Sequence, residues 1–387
     1  MLLLVTALLA SLTAAACPQF SLSDLYNANK TTTKLPNPFI FYSGQPVLTK
    51  SDWRCRRAEI SALIQHYETG TLPPNAPLVN ASLTSKTLSI QVQYDSKKIN
   101  YSVTVRLPLG NGPFPAIIAL GGASIPLNQT SSNIALITYN HDQIASHNDR
   151  GRGKFYDLYG SSYPAGAFIA WTWGVSRIID ALEQLGPSIT KIDTTRLGVT
   201  GCSRNGKATL YVGAFETRIA LTIPQESGVG GPATWRLYRD NRCNGICTWP
   251  SPSEREVTDN PWYLKDFVKY FIAPGRLPYD HHELMGLVAP RGLLVLENNI
   301  DFLQPDNAAI GTKAARLIYE ALDEKRAMGF VSSTTHAHCQ FPTGEVQYLN
   351  AFLDRFLGGG LADMDVYVTQ SKGDINKYID WRAPELE

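Results

Sequence analysis

The hydrophobic positions of the chain change their period twice. Ile60, Leu63, Ile64 and Tyr67 recur at i, i+3, i+4 and i+7, which is one buried face of a helix. Ser51 is placed to cap that helix, and Gly70 with Pro73-Pro74 ends it. From Leu88 the period shortens to two: Leu88-Ser89-Ile90-Gln91-Val92 alternates, and so does Tyr101-Ser102-Val103-Thr104-Val105-Arg106-Leu107. The polar Asp95-Ser96-Lys97-Lys98 between them marks an antiparallel hairpin. Beyond Pro115 the alternation gives way to short continuous apolar runs. Those at 115–120, 134–139, 196–200, 219–224, 292–297 and 328–332 read as strands, and 165–185, 205–215, 306–322 and 344–357 read as helices. In the first of these helices Phe168, Thr172, Val175, Ile179 and Leu182 share a stripe. Strands alternating with helices predict an α/β protein with a mostly parallel central sheet, helices on both faces and the hairpin at one side. No repeat, charge run or linker divides the chain, so residues 17–387 read as one domain. Within it, 17–50 is rich in Thr, Asn and Pro and reads as an extended arm, while 358–387 begins Gly-Gly-Gly and reads as a loose tail.

Composition adds a compartment. The chain has 387 residues, 44% hydrophobic and 18% charged, with a net charge of +1, so neither nucleic acid nor an acidic membrane surface is an expected partner. Residues Leu2 to Leu12 form an apolar run ahead of Thr13-Ala14-Ala15-Ala16. That is the layout of a secretory signal peptide over 1–16, too short to span a bilayer, although its basic n-region is missing; a buried N-terminal helix is the rival reading. Cleavage would leave Cys17 first and release an extracellular protein. Six cysteines in an exported chain suggest disulfides, with fifteen possible connectivities. Sequons stand at Asn29, Asn80, Asn100 and Asn128. A monomer without cofactor is expected.

The candidate chemistry centres on Thr200-Gly201-Cys202-Ser203-Arg204-Asn205-Gly206-Lys207, between the apolar run at 196–200 and the helix at 205–215. A serine at a strand-to-helix turn is the nucleophile elbow of an α/β-hydrolase. The sharp turn needs Gly201 two places before the serine; the usual glycine two places after it is replaced by Asn205, with Gly206 following. A serine hydroxyl needs a base, and the base an orienting carboxylate, in the chain order Ser, acid, His. Past the run at 328–332, His336 and His338 both reach the sheet edge where catalytic groups gather. His338 is marked out by Cys339: if His338 meets Ser203, Cys202 and Cys339 come within bridging distance, the alternative being two free buried thiols. Glu226, directly after the run at 219–224, and Asp301, after the next, compete equally as the acid. The backbone N–H of Arg204, its guanidinium, and the turn Gly121-Gly122-Ala123-Ser124 are candidate oxyanion donors. Asp280-His281-His282 could be read as metal ligands, but no further cluster joins it and a structural role is favoured; no metal is expected.

The stretch 199–207 resembles the signature of the glucuronoyl esterases, carbohydrate esterase family 15, of the fungal secreted type. Further matches are Ser51 to Arg57, Arg152 to Asp157, Trp173-Gly174-Val175, Glu226-Ser227-Gly228, Asp280-His281-His282 and His336 to Pro342. The resemblance implies a serine hydrolase cleaving esters between the 4-O-methyl-glucuronic acid of xylan and lignin alcohols. By position it makes Ser203 the nucleophile, His338 the base, Glu226 rather than Asp301 the acid, Arg204 the oxyanion arginine and Lys207 a holder of sugar hydroxyls. It also implies bridges Cys202–Cys339 and Cys17–Cys55. The family's third bridge falls at Thr234 and Gly311 and is therefore absent, while Cys243 and Cys247 are extra and could pair locally. The family's sugar-facing tryptophan falls at Phe302, and a sugar-binding glutamate at Asp259. These changes leave two alternatives beside the glucuronoyl ester: a different uronate or acyl ester, or a carbohydrate-binding protein without catalysis.

Overall fold

The computed structural model describes residues 17–22, 32–73, 78–127, 133–242, 257, 259–361 and 363–387. The proposed signal peptide, the sequons Asn29 and Asn128, and Cys243 and Cys247 lie outside them.

Among the described residues ten strands form one sheet in the order β1-β2-β3-β5-β4-β6-β7-β8-β9-β10. Strands β1 (Leu78–Thr84), β2 (Thr87–Tyr94) and β3 (Lys97–Arg106) are antiparallel, and β3 also runs antiparallel to β5 (Ala135–Tyr139). From β5 onward every pairing is parallel, through β4 (Phe114–Leu120), β6 (Ile192–Cys202), β7 (Ile219–Gln225), β8 (Gly292–Leu296), β9 (Met328–Ser332) and β10 (Tyr367–Thr369). This is the mostly parallel, doubly covered sheet of an α/β-hydrolase fold with an antiparallel edge. The expected hairpin is three-stranded. In β1 only every second residue, Val79, Ala81 and Leu83, is even partly buried, so the strand carries too weak an apolar signal to be read alone.

The apolar runs are continuous because both faces of the parallel strands are covered. Ala116, Ile118 and Leu120 of β4 and Leu293 and Val295 of β8 face the larger core. Helices α1 (Lys50–Ile64), α2 (Ala167–Leu185), α3 (Arg204–Phe215), α4 (His281–Gly286) and α5 (Pro305–Ala321) supply its other half. Ile117, Leu294 and Leu296 face the opposite way, against Leu349, Phe352 and Leu353 of α6 (Val346–Leu353). The cap of α1 is Thr49, not Ser51: Thr49 Oγ1 accepts the Asp52 N–H at 2.9 Å while Asp52 Oδ2 accepts the Thr49 N–H at 3.0 Å.

The C-terminal segment is not the loose tail its glycines suggest. β10 pairs with β9, and Trp381 stacks on His282 and sends its indole N–H to the Leu35 carbonyl at 3.0 Å. Glu387 then exchanges backbone hydrogen bonds with Leu48 and Lys50. The docking also pins the N-terminal arm, whose Phe39, Phe41 and Val47 are buried. Thr234 and Gly311 face one another, since a Cβ at 311 would lie 3.0 Å from Thr234 Cγ2. The two segments are joined through Asn307 instead. Its Oδ1 accepts from Thr234 N and Oγ1 at 2.9 and 2.8 Å, and its Nδ2 donates to the Thr234 carbonyl at 3.0 Å.

Candidate active site

β6 runs through the middle of the sheet and turns sharply into α3 at Ser203, whose φ of 60° and ψ of −126° few side-chain-bearing residues adopt. A Cβ on Gly201 would sit 2.7 Å from the Asn205 carbonyl oxygen, so the turn cannot close over a side chain there. The second glycine requirement has moved one place along. A Cβ on Gly206 would lie 2.4 Å from the Gln225 carbonyl oxygen, so Gly206 lets α3 pack against β7. Asn205, where the motif usually has glycine, is anchored instead: its Oδ1 lies 2.7 Å from His141 Nε2. Gly121 makes room for that amide, because a Cβ on it would fall 2.4 Å from Asn205 Nδ2. Gly121 therefore lies against the side chain of Asn205, the second residue of α3. As the first residue of α3, Arg204 has no acceptor within the helix for its backbone N–H, and its side chain is exposed.

Glu226 stands one residue beyond β7 with φ 45° and is 1% exposed. Its Oε2 accepts from His338 Nδ1 at 2.8 Å, from the Cys339 N–H at 2.9 Å and from Asn298 Nδ2 at 3.2 Å. Its Oε1 accepts from Gln225 Nε2 at 3.2 Å. Asp301, the rival acid, is exposed in the turn Asp301–Leu303. His336, the rival base, points its Nδ1 at Glu226 Oε1 from 3.8 Å and lies 3.1 Å from Asn298 Nδ2. The bridge Cys202–Cys339 ties Ser203's neighbour to His338's neighbour, with 5.8 Å between the Cα atoms. Cys17 and Cys55 form the second bridge. Three of the non-glycine residues with positive φ, namely Ser203, Glu226 and Cys339, thus converge here, the concentration of backbone strain expected where geometry is functionally constrained.

Around this centre Lys207 is 5% exposed and its Nζ donates to the Ser227 carbonyl at 2.6 Å. Phe302 is 51% exposed, with its ring edge-on to His338 at a centroid distance of 5.3 Å. It is carried there because Gly228 lets the neighbouring Leu303 backbone close in: a Cβ on Gly228 would sit 2.7 Å from Leu303 Cα. Asp259 is exposed. Asn80 and Asn100 are also exposed, in register with Gln91 between them on the antiparallel edge. The Asp280-His281-His282 stretch serves packing: Asp280 caps α4 and pairs with Arg236 at 2.9 Å, His281 meets Glu68 at 3.0 Å, and His282 meets the Pro36 carbonyl at 2.9 Å.

Asn298 escapes sequence reasoning. It lies two residues past β8, in the stretch that also carries Asp301, but an amide does not titrate and so carries no signal for a catalytic acid. Its Nδ2 donates to the His336 carbonyl at 2.9 Å as well as to Glu226, so it joins the base loop to the acid.

The bridge between the two loops gives a first prediction. Cys202→Ala with Cys339→Ala should lower the unfolding midpoint and kcat together. Opening a cross-link of sequence separation 137 releases unfolded-state entropy worth at most roughly 5 kcal/mol, and it frees the loop that carries His338. Thermal unfolding and initial rates measure both; an unchanged midpoint with wild-type kcat would show that the bridge does neither.

Comparison with known proteins places this geometry. The family model described as glucuronyl esterase of fungi matches residues 90–323. The 4-O-methyl-glucuronoyl methylesterase of Thermothelomyces thermophilus is 44% identical over 366 residues, which are 94% of this chain and 91% of that one. Its counterpart from Hypocrea jecorina is 43% identical over 363 residues, covering 92% and 77%. The glucuronoyl esterase catalytic domain from Hypocrea jecorina matches with a TM-score of 0.87 at 43% identity, covering 92% of this chain and 98% of that one. A serine-to-alanine variant of the glucuronoyl esterase from Sporotrichum thermophile, in complex with methyl 4-O-methyl-β-D-glucopyranuronate, matches with a TM-score of 0.89 at 43% identity, covering 96% and 100%.

Proposed function

Because the chain belongs to the fungal glucuronoyl esterases, a family of carboxylic ester hydrolases, we propose that Ser203, His338 and Glu226 cleave esters of 4-O-methyl-D-glucuronic acid through an acyl-enzyme. The observation that carries this reading is the 2.8 Å contact between His338 Nδ1 and Glu226 Oε2, beside the bridge that brings His338 to the nucleophile elbow.

Ser203 Oγ attacks the ester carbonyl carbon and gives its proton to His338 Nε2, while Glu226 holds Nδ1–H and stabilises the imidazolium. The tetrahedral oxyanion is met by the Arg204 N–H, with the guanidinium adding charge and the Gly121-Gly122 turn on the same side. As the C–O bond breaks, His338 returns the proton to the departing alcohol. Water then repeats the sequence on the acyl-Ser203 ester and releases the uronic acid. Lys207, Asp259 and Phe302 line the sugar side. In the plant cell wall the substrate is the glucuronoxylan–lignin ester. The enzyme works as a secreted monomer, with 17–387 one catalytic domain after loss of 1–16 and with glycans on the exposed Asn80 and Asn100. Two bridges suit an oxidising compartment, and no helix among the described residues is long and apolar enough to cross a membrane. Rates on benzyl glucuronate beside acetyl and feruloyl esters test the substrate. Faster turnover of either of the latter would transfer the reading to another acyl ester.

Phe302 adds a finer expectation. An indole at this position offers a wider face and an N–H donor, both absent from phenylalanine. One neutral hydrogen bond is worth about 0.5–1.5 kcal/mol, up to roughly tenfold in affinity. The sugar is held in both ground and transition states, so Phe302→Trp should lower KM for glucuronate esters with kcat little changed. A raised KM would mean that the pocket is built around the smaller ring, and would favour a different uronate as substrate.

A further inference from the structure

A second buried carboxyl group lies beside the proposed acid. Glu297 follows β8, is 1% exposed, and anchors its own N–H on the Val331 carbonyl at 2.7 Å. Its Oε1 accepts the N–H groups of Ser227 and Gly228 at 2.7 and 3.0 Å, the two residues directly after Glu226. The same turn is held from its other side, where Lys207 Nζ donates to the Ser227 carbonyl at 2.6 Å. Glu226 has a φ of 45°, which a residue with a side chain seldom adopts, so this turn is strained at Glu226 and needs to be pinned. We propose that Glu297 is a positioning residue for the esterase reaction: by holding the Ser227 and Gly228 N–H groups it fixes the turn that aims the Glu226 carboxylate at His338. This rests on Glu226 being the acid.

The environment of Glu297 asks for a neutral acid. Burial pushes it up to about 8; the two N–H groups and Lys207 oppose that rise, and the Glu226 charge adds to it. Oε2 is buried without a hydrogen-bond partner, as is Gln225 Oε1, and both residues line one small cavity with His336 and Glu345. A protonated Glu297 still offers Oε1 to both N–H groups and keeps a second negative charge away from Glu226. Ionisation places that charge beside Glu226 and attracts Lys207; drawing Lys207 toward it would take the lysine off the Ser227 carbonyl. Glu345, itself raised by burial, and His336 face the cavity from the base loop and α6 side. That displacement of Lys207 loosens the turn, so catalysis should weaken as pH rises through the Glu297 pKa.

The test is kcat and KM from pH 5 to 9.5 for wild type, Glu297→Gln and Glu297→Ala, with Glu226→Ala alongside. Glutamine keeps an oxygen for both N–H groups and cannot ionise. It should retain near wild-type kcat at pH 6 and lack the alkaline fall expected of wild type as Glu297, pushed up to about 8, ionises. Alanine leaves two buried N–H groups unpaired and should lower kcat by roughly tenfold to a hundredfold with KM little changed. Should the alanine variant not fold, the glutamine profile decides. An alkaline fall identical in Glu297→Gln and wild type, or a wild-type kcat in Glu297→Ala, overturns the proposal. Full activity in Glu226→Ala would instead overturn the assignment of the acid.

Discussion

Ser203→Ala is expected to lower kcat by about 10⁶-fold, the scale on which removing the nucleophile of a serine hydrolase acts. Fold and sugar binding should remain. Alanine keeps the Cβ that serine already places at φ 60°, so the strained elbow is no worse, and Ser203 is only half-buried, so little packing goes with its hydroxyl. The turn is held independently by the Ser203 N–H on the Gln225 carbonyl at 2.9 Å and by the Cys202–Cys339 bridge. Steady-state rates on benzyl glucuronate, a thermal melt and calorimetric binding of the uronic acid separate chemistry from fold. Turnover close to wild type would remove Ser203 as nucleophile.

Glu226→Gln should cost about 10⁴-fold in kcat, because the amide no longer holds a positive imidazolium or enforces the Nδ1–H tautomer. Glutamine has one acceptor oxygen where the carboxylate has two: turned toward His338 Nδ1, the Cys339 N–H and Asn298 Nδ2 it sets its NH2 against Gln225 Nε2, and turned away it leaves those three donors unpaired. KM should change little, since Glu226 lies behind His338 from the substrate. Asp301→Ala should leave kcat nearly unchanged, as Asp301 is exposed in a surface turn. A reversed ranking of the two variants would move the acid to the strand after β7.

The two candidate acids show where reading a sequence stops. Each follows a buried strand and each precedes the histidine, so chain order and chemistry rate them alike, and only the family resemblance separated them. What separates them physically is direction. The positive φ of Glu226, set by a turn pinned to Glu297 and Lys207, points its carboxylate back over the sheet, whereas the chain at Asp301 has turned outward. Asn298 and Glu297 carry no signal in the sequence for the same reason, because their hydrogen bonds are to residues 38 and 70 positions away.

The sequence by itself determined strands β2 to β9, the long helices, the two-sided core, the elbow and the residue types proposed for the catalytic set. Those depend on periodicity and on steric limits within a few residues, as at Gly201. Only the tertiary structure decided which carboxylate meets His338, that Asn205 is held by His141, and that the C-terminal segment docks through Trp381 onto His282 and Leu35. These follow from complementary surfaces between distant segments, and a local pattern carries no record of the partner that a side chain meets when the chain closes.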